Sequence, residues 1–237
     1  GDLENWIVAE TDFKRRFQGK SEVVFGLGNG YLGIRSATEE GYFGQTRNMF
    51  VSGTFNKCNT NEVTELPNAA DFIEINFFIN NEILNLEKGK FSNYNRYLNL
   101  KNGVLTREFV WINVKGEEFL FKFQRFVSQE NLHTICSNVS ITPLNCNAHV
   151  LIKSSINGQV TNSGAQHFEE GEKRIFDKEY VQMLQKTNQS EIVFIHNTFH
   201  DFKESTVNMS SRFEMDRRKV LMVYEGDIPE GKTLEFS

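Results

Sequence analysis

Apolar and polar positions alternate with period two through much of the middle of the chain. In DFIEINFFIN, Ile73, Ile75, Phe77 and Ile79 fall on one face, while Glu74 and Asn76 fall on the other. In EEFLFKFQRF, Phe119, Phe121 and Phe123 share a face opposite Lys122 and Gln124. Successive strand side chains point to opposite sides, so this alternation marks strands with one face in a core. Turn signals separate the runs. Asn80-Asn81 divides IEINFFI from EILNL, Asn102-Gly103 divides RYLNL from VLTREFVWI, and Lys115-Gly116 divides FVWINV from EEFLFKF. Asn and Gly tolerate the positive φ angles of two-residue hairpins. Residues 71–127 therefore predict consecutive antiparallel hairpins. Further strands are predicted at HTICSNVSI, AHVLIKSSI, IVFIHNTF, SRFEM and KVLMVYEG. The pattern predicts no amphipathic helix of ordinary length, only one short helical turn near Lys20–Phe25. Many short strands with few helices predict a mainly β protein: a large antiparallel β-sandwich forming a single domain over residues 1–237.

Composition supports this and narrows the function. The chain has 22 Phe against 3 Pro, and Phe fills apolar sheet faces. A net charge of −5 leaves no basic excess to attract nucleic acid or an anionic membrane. No apolar run approaches the roughly 20 residues of a membrane span. Three cysteines without a C-x-x-C pattern (Cys58, Cys136, Cys146) argue against a disulfide framework or structural zinc. Reduced thiols and a cytoplasmic location are expected, and the sequons at Asn138, Asn188 and Asn208 then read as chance. Gly1 is expected to be a cloning remnant on an excerpted chain.

Candidate chemistry is sparse. GNGYLG, residues 28–33, has the G-x-G-x-x-G spacing of phosphate-cradling loops. Such a loop lies between a strand and a helix, with an acidic residue about 20 positions on. SEVVFGL could supply the strand, but Gly41 and Gly44 interrupt any following helix, and GTFNKCN supplies no acid. The glycines are expected to serve tight turns and close backbone packing instead. His196 and His200 are four apart, but on a strand, too far from each other to share a metal easily. No metal site is expected. Glu39-Glu40 and Glu169-Glu170 are expected as solvated loop charges, because neighbours on an extended segment point apart. No G-x-S-x-G elbow is present, and no catalytic residue is assigned.

Four stretches in order carry a resemblance: SEVVFGLGNGYLGIRSATEEGYF, MFVSGTFNK…ELPNAADFIEI, YLNLKNGVLTREFVW, and RFVSQENLHTICSNVSITPLNCNAHVLIKSSINGQVTNSG. Together they resemble the N-terminal domain of glycoside hydrolase family 65, which includes maltose, trehalose, kojibiose and nigerose phosphorylases and acid trehalases. The resemblance implies a galactose mutarotase-like super-sandwich, followed in the parent by a helical linker and a catalytic (α/α)6 barrel. The barrel is absent from this chain, and the sandwich is expected to be cut short at its C-terminal end. An inverting phosphorylase needs one carboxylic acid to protonate the leaving oxygen and an anion pocket for phosphate. The family places both in the barrel, so neither is carried over to any residue here.

The resemblance thus implies a non-catalytic domain of an α-glucoside phosphorylase of maltose type. Its parent would use inorganic phosphate as co-substrate, need no other cofactor, and form β-glucose 1-phosphate from an α-linked glucose disaccharide. The expected partners are the barrel of the same chain and, for the full-length protein, a second copy in a homodimer. ELPNAAD is the candidate for a substrate mouth or domain interface, through Glu65, Pro67, Asn68 and Asp71. Other readings stay open. A free-standing carbohydrate-binding module predicts exposed aromatic platforms, with Trp6, Trp111, Tyr42, Tyr94 and Tyr97 as candidates, although Trp111 lies in an alternating strand and is expected in the core. A mutarotase would need a His/His/Glu constellation. A family trehalose hydrolase is the third alternative.

Overall fold

A computed structural model describes residues 5–177, 179–203 and 207–237; Gly1 lies outside the described residues. In chain order come β1 (Ile7–Glu10), a 3-10 turn (Arg15–Phe17), α1 (Gln18–Val24), β2 (Leu27–Gly28), β3 (Leu32–Ile34), β4 (Met49–Val51), β5 (Ile75–Ile79) and β6 (Glu82–Ile83). Longer strands follow: β7 (Lys90–Asn99), β8 (Val104–Ile112), β9 (Glu118–Val127), β10 (Ile135–Pro143) and β11 (Ala148–Asn157). The last are β12 (Glu172–Phe176), β13 (Tyr180–Lys186), β14 (Val193–Phe199), β15 (Met209–Asp216), β16 (Lys219–Ile228) and β17 (Leu234–Phe236). The fold is mainly β, and the helical turn expected near Lys20–Phe25 is α1.

Two large antiparallel sheets form the sandwich. One runs β1-β7-β8-β9-β10-β17 and the other β15-β16-β11-β5-β6. Their facing sides are the apolar phases read from the sequence. Phe109, Trp111, Phe119, Phe121 and Phe123 from the first sheet share a buried cluster with Ile75, Phe77, Ile79, Val150 and Ile152 from the second. The Phe77 ring meets Phe121 at 5.6 Å and Phe123 at 5.7 Å across the gap, both edge-on. Each buried Phe removes enough apolar area to contribute roughly 1.5–3 kcal/mol.

The predicted hairpin turns are present. Asn80 and Asn81 have φ of 50° and 67°, and Gly103 and Gly116 have φ of 69° and 81°. The hairpins do not form one continuous sheet, however. β5–β6 belongs to the second sheet, whereas β7–β8–β9 belongs to the first. The chain crosses between them through residues 84–89, burying Leu84 and Leu86 on the way. Alternation reports which face of a strand is buried and does not say in which sheet.

Two smaller sheets cap the sandwich, β12-β13-β14 and β2-β3-β4. β12 and β13 escape the pattern reading for a physical reason. EKRIF is largely exposed, and the inward phase of β13 (Val181, Met183, Gln185) ends in a buried amide. The GNGYLG glycines build the β2–β3 hairpin. Gly30 has φ of 87°, and Asn29 Oδ1 accepts the Tyr31 and Leu32 backbone N–H groups at 3.0 and 2.8 Å. A Cβ on Gly28 would come within 3.0 Å of the Leu32 carbonyl oxygen. The adjoining helix precedes this loop instead of following it, so its N-terminus cannot face the glycines as a phosphate loop requires.

Candidate functional site

Two places concentrate polar side chains. The first is sealed. On the inner face of the six-stranded sheet, Arg107 continues the phase of Phe109 and Trp111, and Arg125 continues that of Phe119–Phe123. Arg96 lies directly across from Arg107. All three arginines are buried. Like charges paired across strands are unfavourable, and Glu39 and Glu40 compensate them. Arg107 donates to Glu40 Oε1 at 2.6 Å and Glu39 Oε2 at 2.7 Å, and Arg125 donates to Glu39 Oε1. The Tyr42 hydroxyl donates to Glu40 Oε1 at 2.9 Å. Burial pushes the Glu39 carboxyl up, but Arg125 and Arg107 outweigh it and hold it below the usual carboxylate range.

The expectation that Glu39 and Glu40 are solvated is thereby corrected. The chain bends at these residues instead of running extended, so neighbouring side chains enter the same cluster. Glu169 and Glu170 are exposed, as expected. The inward phase of Arg107 and Arg125 was the sequence signal for the buried cluster. A carboxylate pair among arginines has the residue types of an active site, yet the adjoining cavity measures only about 10 Å³. That is room for one water. The cluster is structural, tying the 36–42 segment to the sheet.

The second place is open. A cleft of about 340 Å³ lies between the loop of residues 52–66 and the turn at 187–192, lined by Phe55, Lys57, Thr60, Thr64, Gln189 and Ser190. Its frame is Asn56, which is buried and lies at the base of the cleft. Asn56 Oδ1 accepts the Ser190 N–H at 2.9 Å, the Ser190 hydroxyl at 3.0 Å and the Gln189 N–H at 3.3 Å. Asn56 Nδ2 donates to the Lys57 carbonyl, to Asn188 Oδ1 and to His167 Nδ1, each at 2.9 Å. Asn188 Nδ2 returns a bond to the Cys58 carbonyl at 2.8 Å. The two walls are therefore locked through buried amides, which pre-organises the cleft.

The predicted residues Glu65, Pro67, Asn68 and Asp71 run from this frame into the interior. Glu65 pairs with Asn56 through both backbone bonds and accepts His167 Nε2–H at 2.8 Å. Pro67 is buried. Asn68 Oδ1 accepts the Met49 N–H at 3.0 Å, and its Nδ2 donates to the Arg47 carbonyl at 2.9 Å. Asp71 exchanges backbone bonds with Asn157, and its Oδ1 accepts the Ile73 N–H at 3.1 Å. None of the four lines the cleft; Glu65 braces its Asn56 frame, and the others hold the chain that follows.

Of the aromatic platform candidates, Trp111, Tyr42 and Tyr94 are buried, Tyr97 is half-buried and Trp6 is exposed. Phe55 was not among them, because a lone Phe in a polar loop carries no pattern. The histidines do not converge. His196 lies inward on β14, and His200 follows the end of that strand within reach of the Tyr224 hydroxyl at 3.2 Å. Burial pushes both imidazoles down to about 4. Among the described residues, no three His, Cys, Asp or Glu side chains are grouped to hold a metal.

Comparison with known proteins decides the family. The profile of glycosyl hydrolase family 65, N-terminal domain, matches residues 8–237. The chain belongs to this family. The family 65 domain is similar to a kojibiose phosphorylase of Halothermothrix orenii, with 40% identity over 238 residues covering 100% of this chain and 30% of the relative. It is similar to the kojibiose phosphorylase of Escherichia coli at 34% identity over 175 residues, covering 74% of this chain and 23% of the relative. A maltose phosphorylase of Bacillus subtilis is 22% identical over 180 residues, covering 71% of this chain and 24% of the relative. The solved structure of a candidate kojibiose phosphorylase from the human microbiome superposes with a TM-score of 0.88 at 16% identity, over 99% of this chain and 32% of that one, which speaks for the fold. The family 65 domain thus spans about 30% of the length of the Halothermothrix relative.

Proposed function

We propose that this chain is the non-catalytic N-terminal sandwich domain of an α-glucoside phosphorylase, working beside a catalytic (α/α)6 barrel of the same polypeptide. The full-coverage similarity to a kojibiose phosphorylase carries this reading. It moves the preferred disaccharide from maltose, whose phosphorylase is the more distant relative, to kojibiose. The sealed charge cluster supports a non-catalytic role: its two carboxylates are already engaged by arginines and have no room beside them for a sugar. In the parent, inorganic phosphate is the co-substrate and β-glucose 1-phosphate the product. Glu65, Pro67, Asn68 and Asp71 act at the domain interface or substrate mouth by holding the 52–66 loop in place. A cytoplasmic parent accords with the free cysteines Cys58, Cys136 and Cys146, and a homodimer is its expected state.

The test is phosphorolysis by the full-length parent, offered kojibiose, trehalose, nigerose and maltose with phosphate. Glucose 1-phosphate from kojibiose above the others is expected. Release of two glucoses from trehalose without glucose 1-phosphate would overturn the reading.

A further inference from the structure

The cleft framed by Asn56 is not absorbed by a purely structural role. The side chains of Lys57, Thr60, Thr64 and Gln189 have no hydrogen-bond partner among the described residues, yet all line the same open space. Phe55 stands beside them 53% exposed. Beneath them, by contrast, Asn56 uses both side-chain atoms and both backbone groups to hold the walls. The arrangement is a rigid floor carrying unengaged hydroxyl, amide and ammonium groups around one aromatic ring.

We propose that this cleft is a saccharide-binding subsite that takes a glucose-type pyranose. A sugar ring presents an apolar C–H face and a rim of hydroxyls that both donate and accept. Phe55 supplies a flat apolar surface for the first. The Thr60 and Thr64 hydroxyls and the Gln189 amide, which also donate and accept, match the second. The lining contains one cation and no carboxylate, so it has neither the acid/base pair of a hydrolytic site nor the clustered cations of a phosphate site. A volume of about 340 Å³ lies near the lower end of small-ligand pockets. It accommodates one or two sugar units and leaves further units in solvent. The choice of glucose over other pyranoses rests on the phosphorylase reading above; the saccharide class rests on the cleft itself.

The experiment is an amide NMR titration of the 237-residue chain with glucose, kojibiose and, separately, inorganic phosphate. Saturable shifts confined to the amides of Phe55, Thr60, Thr64, Gln189 and Ser190 are expected with the sugars. Phe55→Ala and Gln189→Ala replace exposed side chains and should keep the parent spectrum elsewhere. Each should weaken sugar binding by about tenfold, the equivalent of one good contact. No shifts up to the solubility of the sugars, shifts elsewhere on the surface, or shifts at the cleft with phosphate alone would overturn the proposal. A parent that phosphorolyses an α-glucoside while this cleft stays silent overturns the subsite and leaves the family reading intact.

Discussion

Replacing Arg107 by Met tests whether the buried charge cluster holds the sandwich together. Met retains much of the apolar stem but removes the guanidinium. Arg107 is the cation on Glu40, contacting both of its carboxylate oxygens, whereas Glu39 keeps Arg125 as a second partner. The variant therefore leaves one buried carboxylate, Glu40, with the Tyr42 hydroxyl as its remaining side-chain donor. Removing one member of a buried pair costs about 3–5 kcal/mol, mostly from the uncompensated charge left behind. The expected loss is in that range near neutral pH, measured by urea unfolding of the chain. The sign of its pH dependence follows from linkage. In the wild type, the lowered Glu39 pKa contributes stability that is present above the unfolded carboxylate value and lost as pH falls through the folded one. The variant removes one of the two arginines that lower the Glu39 value, so the deficit should be full at pH 7 and narrow as the pH falls below the unfolded carboxylate value of about 4.5 toward about 3. A loss below about 1 kcal/mol, the scale of an exposed pair, would refute the cluster's structural role. So would an equal deficit at both pH values.

Other expectations follow from particular contacts. Asn56→Ala deprives the buried faces of Ser190, Gln189 and His167 of partners; it should cost about 1–3 kcal/mol per group left unsatisfied and speed amide exchange at residues 187–192. His196 has its pKa lowered from 6.5 to about 4. Its neutral form therefore supports the fold above about pH 6.5, and stability should fall by about 1.4 kcal/mol per pH unit between there and about pH 4; a urea series on His196→Leu should show a shallower acid slope, and an unchanged slope would contradict the assignment. A Cβ on Gly171 would lie 1.7 Å from the Leu184 carbonyl oxygen. Gly171→Ala must therefore displace β12, costing about 1–3 kcal/mol and exposing residues 172–176 to proteolysis; a wild-type melting temperature and digestion pattern would count against that packing.

The strand phases of β5, β8 and β9 were legible in the sequence because a period of two identifies a buried face without reference to any partner. So were the Asn80-Asn81, Asn102-Gly103 and Lys115-Gly116 turns, whose backbone angles depend on residues within the turn itself. The family was legible as well, through an ordered set of local stretches. Which sheet each hairpin joins was decided only by tertiary structure, since β5 pairs with β11, more than 70 positions away. The fate of Glu39 and Glu40 was decided there too. Their burial depends on a backbone bend and on arginines contributed by β8 and β9, none of which is encoded next to them. The Asn56 cleft shows the same limit, because its walls come from residues 55–65 and 187–190. A local pattern reports on local geometry and on which face is buried. A site assembled across more than 100 residues exists only once the chain has brought its parts together.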